Sequence, residues 1–323
     1  MLYMNVVKTA AKKSKYPEGF GLAIKKDFKI NKMLYLMILP VVAFYLIFYY
    51  APLYGAIIAF KDFSPRLGII GSPWADNFGM KHFMDFLTSP SFFSILWNTI
   101  RISFTTLVFS FPAPIIFALL LNELRSPKFA KIIQNITYLP HFISLVVICG
   151  MVKDFTMNDG VIVQFMSLFG FQEKTLLNYP EYFLPVYVTS NIWAVLGWES
   201  IVYLAALTGV DQALYEAAKI DGANRFQQLL SITLPSIAPT IIIMLILAIG
   251  NLLNVGHEKI LLLYNDATRS VADVISTYVY RRGLIELNWS FSTAVGLFNS
   301  VVNFIFVTGA NAVSKRVSDT SLW

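Results

Sequence analysis

The residues with the most chemical content stand in one polar stretch between two long apolar runs. Glu216, Ala217, Ala218, Asp221 and Gly222 are followed, after nine intervening residues, by Ile232, Leu234 and Pro235. The chemistry this pattern offers is recognition rather than bond-making. Adjacent alanines let another surface approach a helix backbone closely, and the carboxylate before them can pair with an arginine or a helix N-terminus on that surface. Residue types suited to covalent work are scattered. Cys149 is the single cysteine, which excludes an intrachain disulfide and a thiolate cluster and reads as a buried spectator. His82, His141 and His257 have no helical-spacing partner of the His-Glu-x-x-His kind, so a metal site is not expected. No Gly-x-x-x-x-Gly-Lys-Ser/Thr loop, Gly-x-Ser-x-Gly elbow or Gly-x-Gly-x-x-Gly turn occurs. The chain is therefore expected to be non-catalytic and to bind no cofactor, with any nucleotide energy coming from a partner.

The elements that must position these residues are membrane helices. A chain with 56% hydrophobic and 15% aromatic residues and a mean hydropathy of +0.62 does not describe a soluble globule. Apolar runs of the roughly 20 residues that cross a hydrocarbon core fall at 33–60, 92–121, 130–152, 181–208, 236–263 and 291–313. The expectation is an all-α integral membrane protein with six transmembrane helices. The layout is a basic segment at 1–32, a membrane domain at 33–313 with a polar loop at 209–235, and a tail at 314–323. The first apolar run is too long for a signal-peptide core, so the first helix is expected to remain attached.

Lysine and arginine set the orientation. Lys8, Lys12, Lys13, Lys15, Lys25, Lys26, Lys29 and Lys32 face only Glu18 and Asp27 before the first span. That end is expected in the cytoplasm, and six crossings return Lys315 and Arg316 to the same side. Arg125, Lys128, Lys131 and the 209–235 loop then also lie inside. Arg281 and Arg282 run against this rule. The net charge of +6 suits anionic lipid headgroups and requires no nucleic acid. Little disulfide potential and a lysine-rich composition fit a bacterial plasma (inner) membrane.

Within the loop, Asp211 can cap a helix starting at Gln212, Ala213 to Ile220 are mostly good helix formers, and Gly222 can end it in a left-handed turn. A second short helix is expected near 224–232, ending against Leu234-Pro235, where proline opens the fifth span. Elsewhere Pro112, Pro114, Pro140 and Pro185 interrupt spans and read as kinks that aid packing. Residues 61–91 read as an outer segment and 159–172 as a short interfacial helix.

The pattern Glu-Ala-Ala-x3-Gly-x9-Ile-x-Leu-Pro is matched at Glu216, Ala217, Ala218, Gly222, Ile232, Leu234 and Pro235. It resembles the cytoplasmic signature of permease subunits of binding-protein-dependent ATP-binding-cassette (ABC) importers. The stretches Tyr138 to Ser144, Tyr203 to Gly209 and Asp273 to Arg281 are similar to the carbohydrate-uptake branch, in particular permeases for lipoproteins or complex polysaccharides. The resemblance implies a MetI-like permease fold, a second homologous permease, two ATPase subunits that bind ATP and magnesium, and an extracytoplasmic solute-binding protein. It further implies that the helix from Glu216 to Gly222, with Asp221 inside it and Leu234 and Pro235 beyond it, sits in a cleft of the ATPase and moves when the ATPases close.

For such a chain the solute path is sought among polar and aromatic residues within spans, which are costly in lipid unless they line protein or water. These are Asn191, Trp193, Trp198 and Glu199 in the fourth span, Asn251, Asn254 and His257 in the fifth, and Asn299 and Asn303 in the sixth. Amides and carboxylates suit sugar hydroxyls and aromatic faces suit sugar rings, so an oligosaccharide is expected. For any single asparagine, interhelical hydrogen bonding is the simpler account and stands ahead of a solute contact. Arg101 is a candidate partner for Glu199. Lys259, Arg269, Arg281 and Arg282 form a cation excess at the outer mouth, suited to acidic patches on a binding protein or to an acidic oligosaccharide. The competing function is an ion- or proton-coupled secondary transporter, which Glu199 and His257 could serve but which leaves 216–235 without a purpose.

Overall fold

The computed structural model describes residues 27–254 and 256–317. Most of the N-terminal lysines, Lys8 to Lys26, lie outside them. The chain divides into two compact units, Met1–Ile57 and Ile58–Trp323. The described part of the first unit is helical, and the side chains of its apolar window are unburied.

Among the described residues the secondary structure is helical apart from one isolated antiparallel bridge, Lys61 with Trp74. Five helices are long and apolar enough to span a membrane, and a bent pair brings the number to six. The first four spans are α1 (Lys32–Phe60), α2 (Phe92–Asn122), the pair α3 (Pro127–Phe142) and α4 (Leu145–Phe155), and then α6 (Pro180–Thr208). Between α4 and α6 lies the short α5 (Val161–Ser167), inside the segment expected to be interfacial. Next come α7 (Gln212–Ile220) and α8 (Arg225–Gly250). The short α9 (His257–Leu263) and α10 (Ile275–Tyr280) precede α11 (Trp289–Val317).

Local sequence accounts for the interruptions. In α2 the residue before Pro112 keeps helical angles (φ −68°, ψ −44°) and the helix continues. The third span, expected as one helix over 130–152, is instead broken by 104° between α3 and α4. Pro140 sits in a 3-10 turn, Ile143 turns extended, and Ser144 starts α4 afresh by accepting from Val147 N at 3.4 Å. Pro185 lies inside α6 without breaking it.

The fifth span differs from expectation at both ends. No separate helix ends at 232, because α8 runs through Pro235. The turn before it widens into a π-helix, Leu229–Thr233, in which Leu234 N donates to Leu229 O. A wider turn lets the chain absorb a residue that has no N–H to give. At the other end α8 stops at Gly250, not at 263. Asn251, Asn254 and Gly256 favour turns over helix, and α9 is a separate element. The last helix continues to Val317, so residues expected in the tail are helical.

Three apolar clusters hold Ile58–Trp323 together. One joins α2, α4 and α6 to α9 through Ile102, Ile148, Phe183, Tyr187 and Ile260. A second packs Phe86, Ile95, Tyr278, Phe291 and Val295. The third, Ile115, Ala118, Tyr203, Leu207 and Ile237, lies beneath the 209–235 loop. Gly197 in α6 lets α3 come close, since a Cβ there would lie 2.3 Å from Thr137 O.

Candidate functional site

The loop between the fourth and fifth spans is built from short-range signals. Asp211 accepts from Ala213 N at 2.9 Å, which starts α7. Gly222 has φ +80°, and Ala223 N reaches back to Ala218 O at 2.8 Å, which closes it. Asn224 and Gln227 then form a reciprocal capping box at 2.9 and 2.8 Å that opens α8.

Tertiary contacts fix the direction of α7. Tyr215 packs with Ile232 against the cluster beneath the loop, and its hydroxyl lies 2.8 Å from Thr233 Oγ1. Thr233 is buried within the π-helical turn. With Tyr215 turned inward, Glu216, Ala217 and Ile220 are exposed, and Ile220 is 87% exposed. Asp221, Gly222 and Pro235 are also exposed, while Ala218 and Leu234 are half-buried. A second tie comes from the end of α2, where Glu123 Oε2 accepts from Arg225 Nη1 at 2.8 Å. Tyr215, Thr233, Glu123 and Arg225 were not singled out from the sequence, because pairs 18 and 102 residues apart leave no local signal.

A polar cavity of about 360 Å³ opens among α2, α6 and the end of α8, within the range of about 300–1,000 Å³ usual for small-molecule sites. Asn191, Glu199, Asn251 and Asn254 line it together with Ser103, Thr106, Ser110 and Tyr187. Asn191 Nδ2 donates to Ser110 Oγ at 3.3 Å. The hydroxyls of Ser103 and Thr106 are buried without a partner among the described residues. The three α2 hydroxyls recur at i, i+3 and i+7, a one-face spacing that was open to detection in the sequence.

The other sequence candidates lie elsewhere. Trp193 lines an apolar groove with Val152, Phe155 and Met166. Trp198 stacks on His141 with ring centres 4.2 Å apart, at the break between α3 and α4. Asn303 is buried and holds the turn after α8, its Oδ1 accepting from Leu253 N at 3.1 Å. Asn254 Oδ1 accepts from both Asn299 Nδ2, at 3.0 Å, and Asn303 Nδ2, at 3.1 Å. Asn299 and His257 border a neighbouring cavity. Arg101 is exposed, and among the described residues no ion pair joins it to Glu199.

Three of the four cations expected at the outer mouth, Lys259, Arg281 and Arg282, are engaged within the chain. Arg281 grips Asp273 in a two-pronged pair at 2.6 and 3.2 Å, and Thr277 adds a bond to the same carboxylate at 2.7 Å. Burial opposes the Arg281 charge, yet the Asp273 carboxylate outweighs it and raises the pKa above the ordinary arginine value. Arg282 pairs with Glu286. Lys259 is buried, donates to Tyr187 O at 3.0 Å and lies over the Tyr187 ring. Burial lowers its pKa to about 8. Of the four, Arg269 is exposed, so the cation patch expected from sequence is largely consumed by structure. Among the described residues no cluster of His, Cys, Asp and Glu could hold a metal.

Comparison with known proteins agrees with the motif. Residues 103–319 match the model of the family described as "Binding-protein-dependent transport system inner membrane component". Protein LplB of Bacillus subtilis (strain 168) is 44% identical over 307 residues, covering 94% of this chain and 95% of that protein. The polygalacturonan/rhamnogalacturonan transport system permease protein YteP of the same organism is 44% identical, covering 91% of each chain. A solved bacterial ABC transporter involved in import of the acidic polysaccharide alginate has a chain 43% identical, with a TM-score of 0.83 over 91% of this chain and 99% of its own. These likenesses favour the importer over an ion-coupled carrier. The chain belongs to the binding-protein-dependent transport system inner membrane components and is a non-catalytic, MetI-like permease subunit of an ABC importer for oligosaccharides.

Proposed function

We propose that this chain pairs with a second permease, docks two ATPase subunits through α7, and conducts an oligosaccharide rich in uronic acids handed over by an extracytoplasmic binding protein. It sits in the bacterial plasma membrane with both termini in the cytoplasm. ATP and magnesium belong to the ATPases, and this chain holds no cofactor. The observation that carries this reading is the setting of α7: Glu216 and Ala217 face outward while Tyr215 roots the helix in the transmembrane core. A push on α7 is thereby a push on the start of α8. Alternating access requires only that nucleotide-bound and nucleotide-free ATPases favour different arrangements by a few kcal/mol.

Support for the substrate class has two parts. The cavity offers hydroxyls and side-chain amides, the groups that exchange hydrogen bonds with sugar hydroxyls. Relatives similar over nearly the whole chain are named for polygalacturonan and rhamnogalacturonan or described as importing the acidic polysaccharide alginate. A solved relative 42% identical, with a TM-score of 0.84, is in complex with a periplasmic protein carrying an alginate pentasaccharide. Among the described residues the cavity lining includes a carboxylate, Glu199, and no lysine or arginine. The path therefore reads hydroxyls, and selection for the carboxylates falls to the binding protein.

ATP hydrolysis by the reconstituted complex tests this. With the cognate binding protein present, trigalacturonate is expected to stimulate turnover and maltotriose is not. Equal stimulation by both, or by maltotriose alone, would remove the acidic class.

A further inference from the structure

A second cavity, of about 500 Å³, adjoins the one described. Asn299 and His257 line it, with Tyr280, Trp289, Ser276 and Ser292. The two cavities meet at one hydrogen bond: Asn254 lines the first, Asn299 lines the second, and Asn299 Nδ2 donates to Asn254 Oδ1 at 3.0 Å.

Three features make this a site for a polar ligand with apolar faces. Ser292 is only 7% exposed, and its hydroxyl has no hydrogen-bond partner. The Asn299 carbonyl oxygen is likewise buried and unpaired, while its amide nitrogen is committed to Asn254. Leaving a buried polar atom without a partner is costly, so two on one wall point to a ligand that satisfies them. Much of the remaining wall is apolar, from Ile275, Val279 and Leu284 together with Tyr280 and Trp289, whose rings suit the C–H face of a sugar ring. Two glycines keep the space open. A Cβ at Gly283 would meet Ser292 Oγ at 2.8 Å, whereas a Cβ at Gly296 would meet nothing within 4 Å and would project into free space.

We infer that this cavity is a second sugar subsite, holding one further unit of an oligosaccharide whose neighbouring unit occupies the first cavity. The inference rests on the substrate path proposed above. Ser292 and the Asn299 carbonyl exchange hydrogen bonds with ring hydroxyls, and the Asn254–Asn299 amide pair lies beside the linkage between the two units. A single unit then gains nothing from the second subsite, whereas a chain of two or more units can fill both.

The test uses the assembled complex in proteoliposomes with its binding protein, measuring uptake of galacturonate and of its oligomers of two, three and five units. Gly296→Ala and Gly296→Val occupy the cavity without meeting protein atoms at Cβ, and Ser292→Ala removes the hydroxyl while leaving the volume. Gly296→Val is expected to raise KM for the dimer and the pentamer at least tenfold and for the monomer less than threefold. Gly296→Ala and Ser292→Ala should follow the same length-dependent order with smaller changes. Variants that assemble yet shift every length equally, or shift none, would overturn the subsite while wild-type uptake upholds the path. If the wild-type complex takes up no oligogalacturonide of any length, the substrate reading fails and the subsite falls with it.

Discussion

Tyr215 and Thr233 place their hydroxyl oxygens 2.8 Å apart, joining the middle of α7 to the π-helical turn that begins the fifth span. The bond makes α7 and α8 one lever. Tyr215→Phe keeps the ring packed against the cluster beneath the loop and removes only the hydroxyl. The expected cost is about 0.5–1.5 kcal/mol of stability, with normal ATPase binding and a several-fold drop in substrate-stimulated relative to basal ATP hydrolysis. An unchanged ratio would assign the bond a packing role alone.

Close approach of α3 and α6 depends on Gly197. Alanine there would put Cβ 2.3 Å from the Thr137 carbonyl oxygen, and backbone cannot yield as a side-chain end can. Gly197→Ala should destabilise the complex by about 1–3 kcal/mol. Gly150→Ala in α4, whose Cβ meets nothing within 4 Å, should be neutral. Thermal unfolding of the two purified variants side by side checks this.

Asp273 and Arg281 form the most buried acid–base pair among the described ones, with side chains 13% and 20% exposed. Asp273→Ala strands a buried guanidinium and should cost about 3–5 kcal/mol. Asp273→Ala combined with Arg281→Met should recover much of that loss. Glu286→Gln at the more exposed Arg282 pair should change stability by about 1 kcal/mol or less. Yield and melting temperature of the assembled complex report all three.

Lys259 gives the complex a pH signature. Its pKa is lowered from 10.5 to about 8 by burial, with the Cys149 thiol acting weakly the other way. Below pH 8 both folded and unfolded states carry the proton, and the folded state bears the cost of a buried charge. Between pH 8 and 10.5 the unfolded state holds more protons, so this group adds stability as pH rises, by roughly 3 kcal/mol over the window. Lys259→Met should flatten that rise in melting temperature. A variant with the same slope as wild type would exclude Lys259 as its source.

The capping of α7 was legible because it depends on Asp211 and Gly222, whose preferences act within a few residues. The two ends of the fifth span were not. A hydropathy window carries the apolar run through Asn251 to Gly256 into Leu261 and Leu262, whereas the backbone turns at Asn251. Pro235 read as a helix start because proline favours the first turn of a helix, whereas the π-helical turn before it lets the helix run through it. The same distinction divides the site. Asn191, Glu199, Asn251 and Asn254 meet in one cavity, but Trp198 is taken up by His141. Arg281 and Arg282 were expected to meet a binding protein or an acidic solute, but their carboxylate partners are Asp273 and Glu286 within the chain, and Asp273, Thr277 and Arg281 recur every four residues along one face.

The central claim is that α7 couples this chain to ATP hydrolysis on its partners. The most direct test is substrate-stimulated ATP hydrolysis by the assembled complex, wild type against Glu216→Ala, with assembly checked by co-purification of the ATPase. Glu216 is exposed and makes none of the ties that hold α7 to the core, so the variant should fold as wild type does. Weakened ATPase binding, or loss of stimulated hydrolysis in a complex that still assembles, is the predicted result. Unchanged binding together with unchanged stimulation would contradict the account.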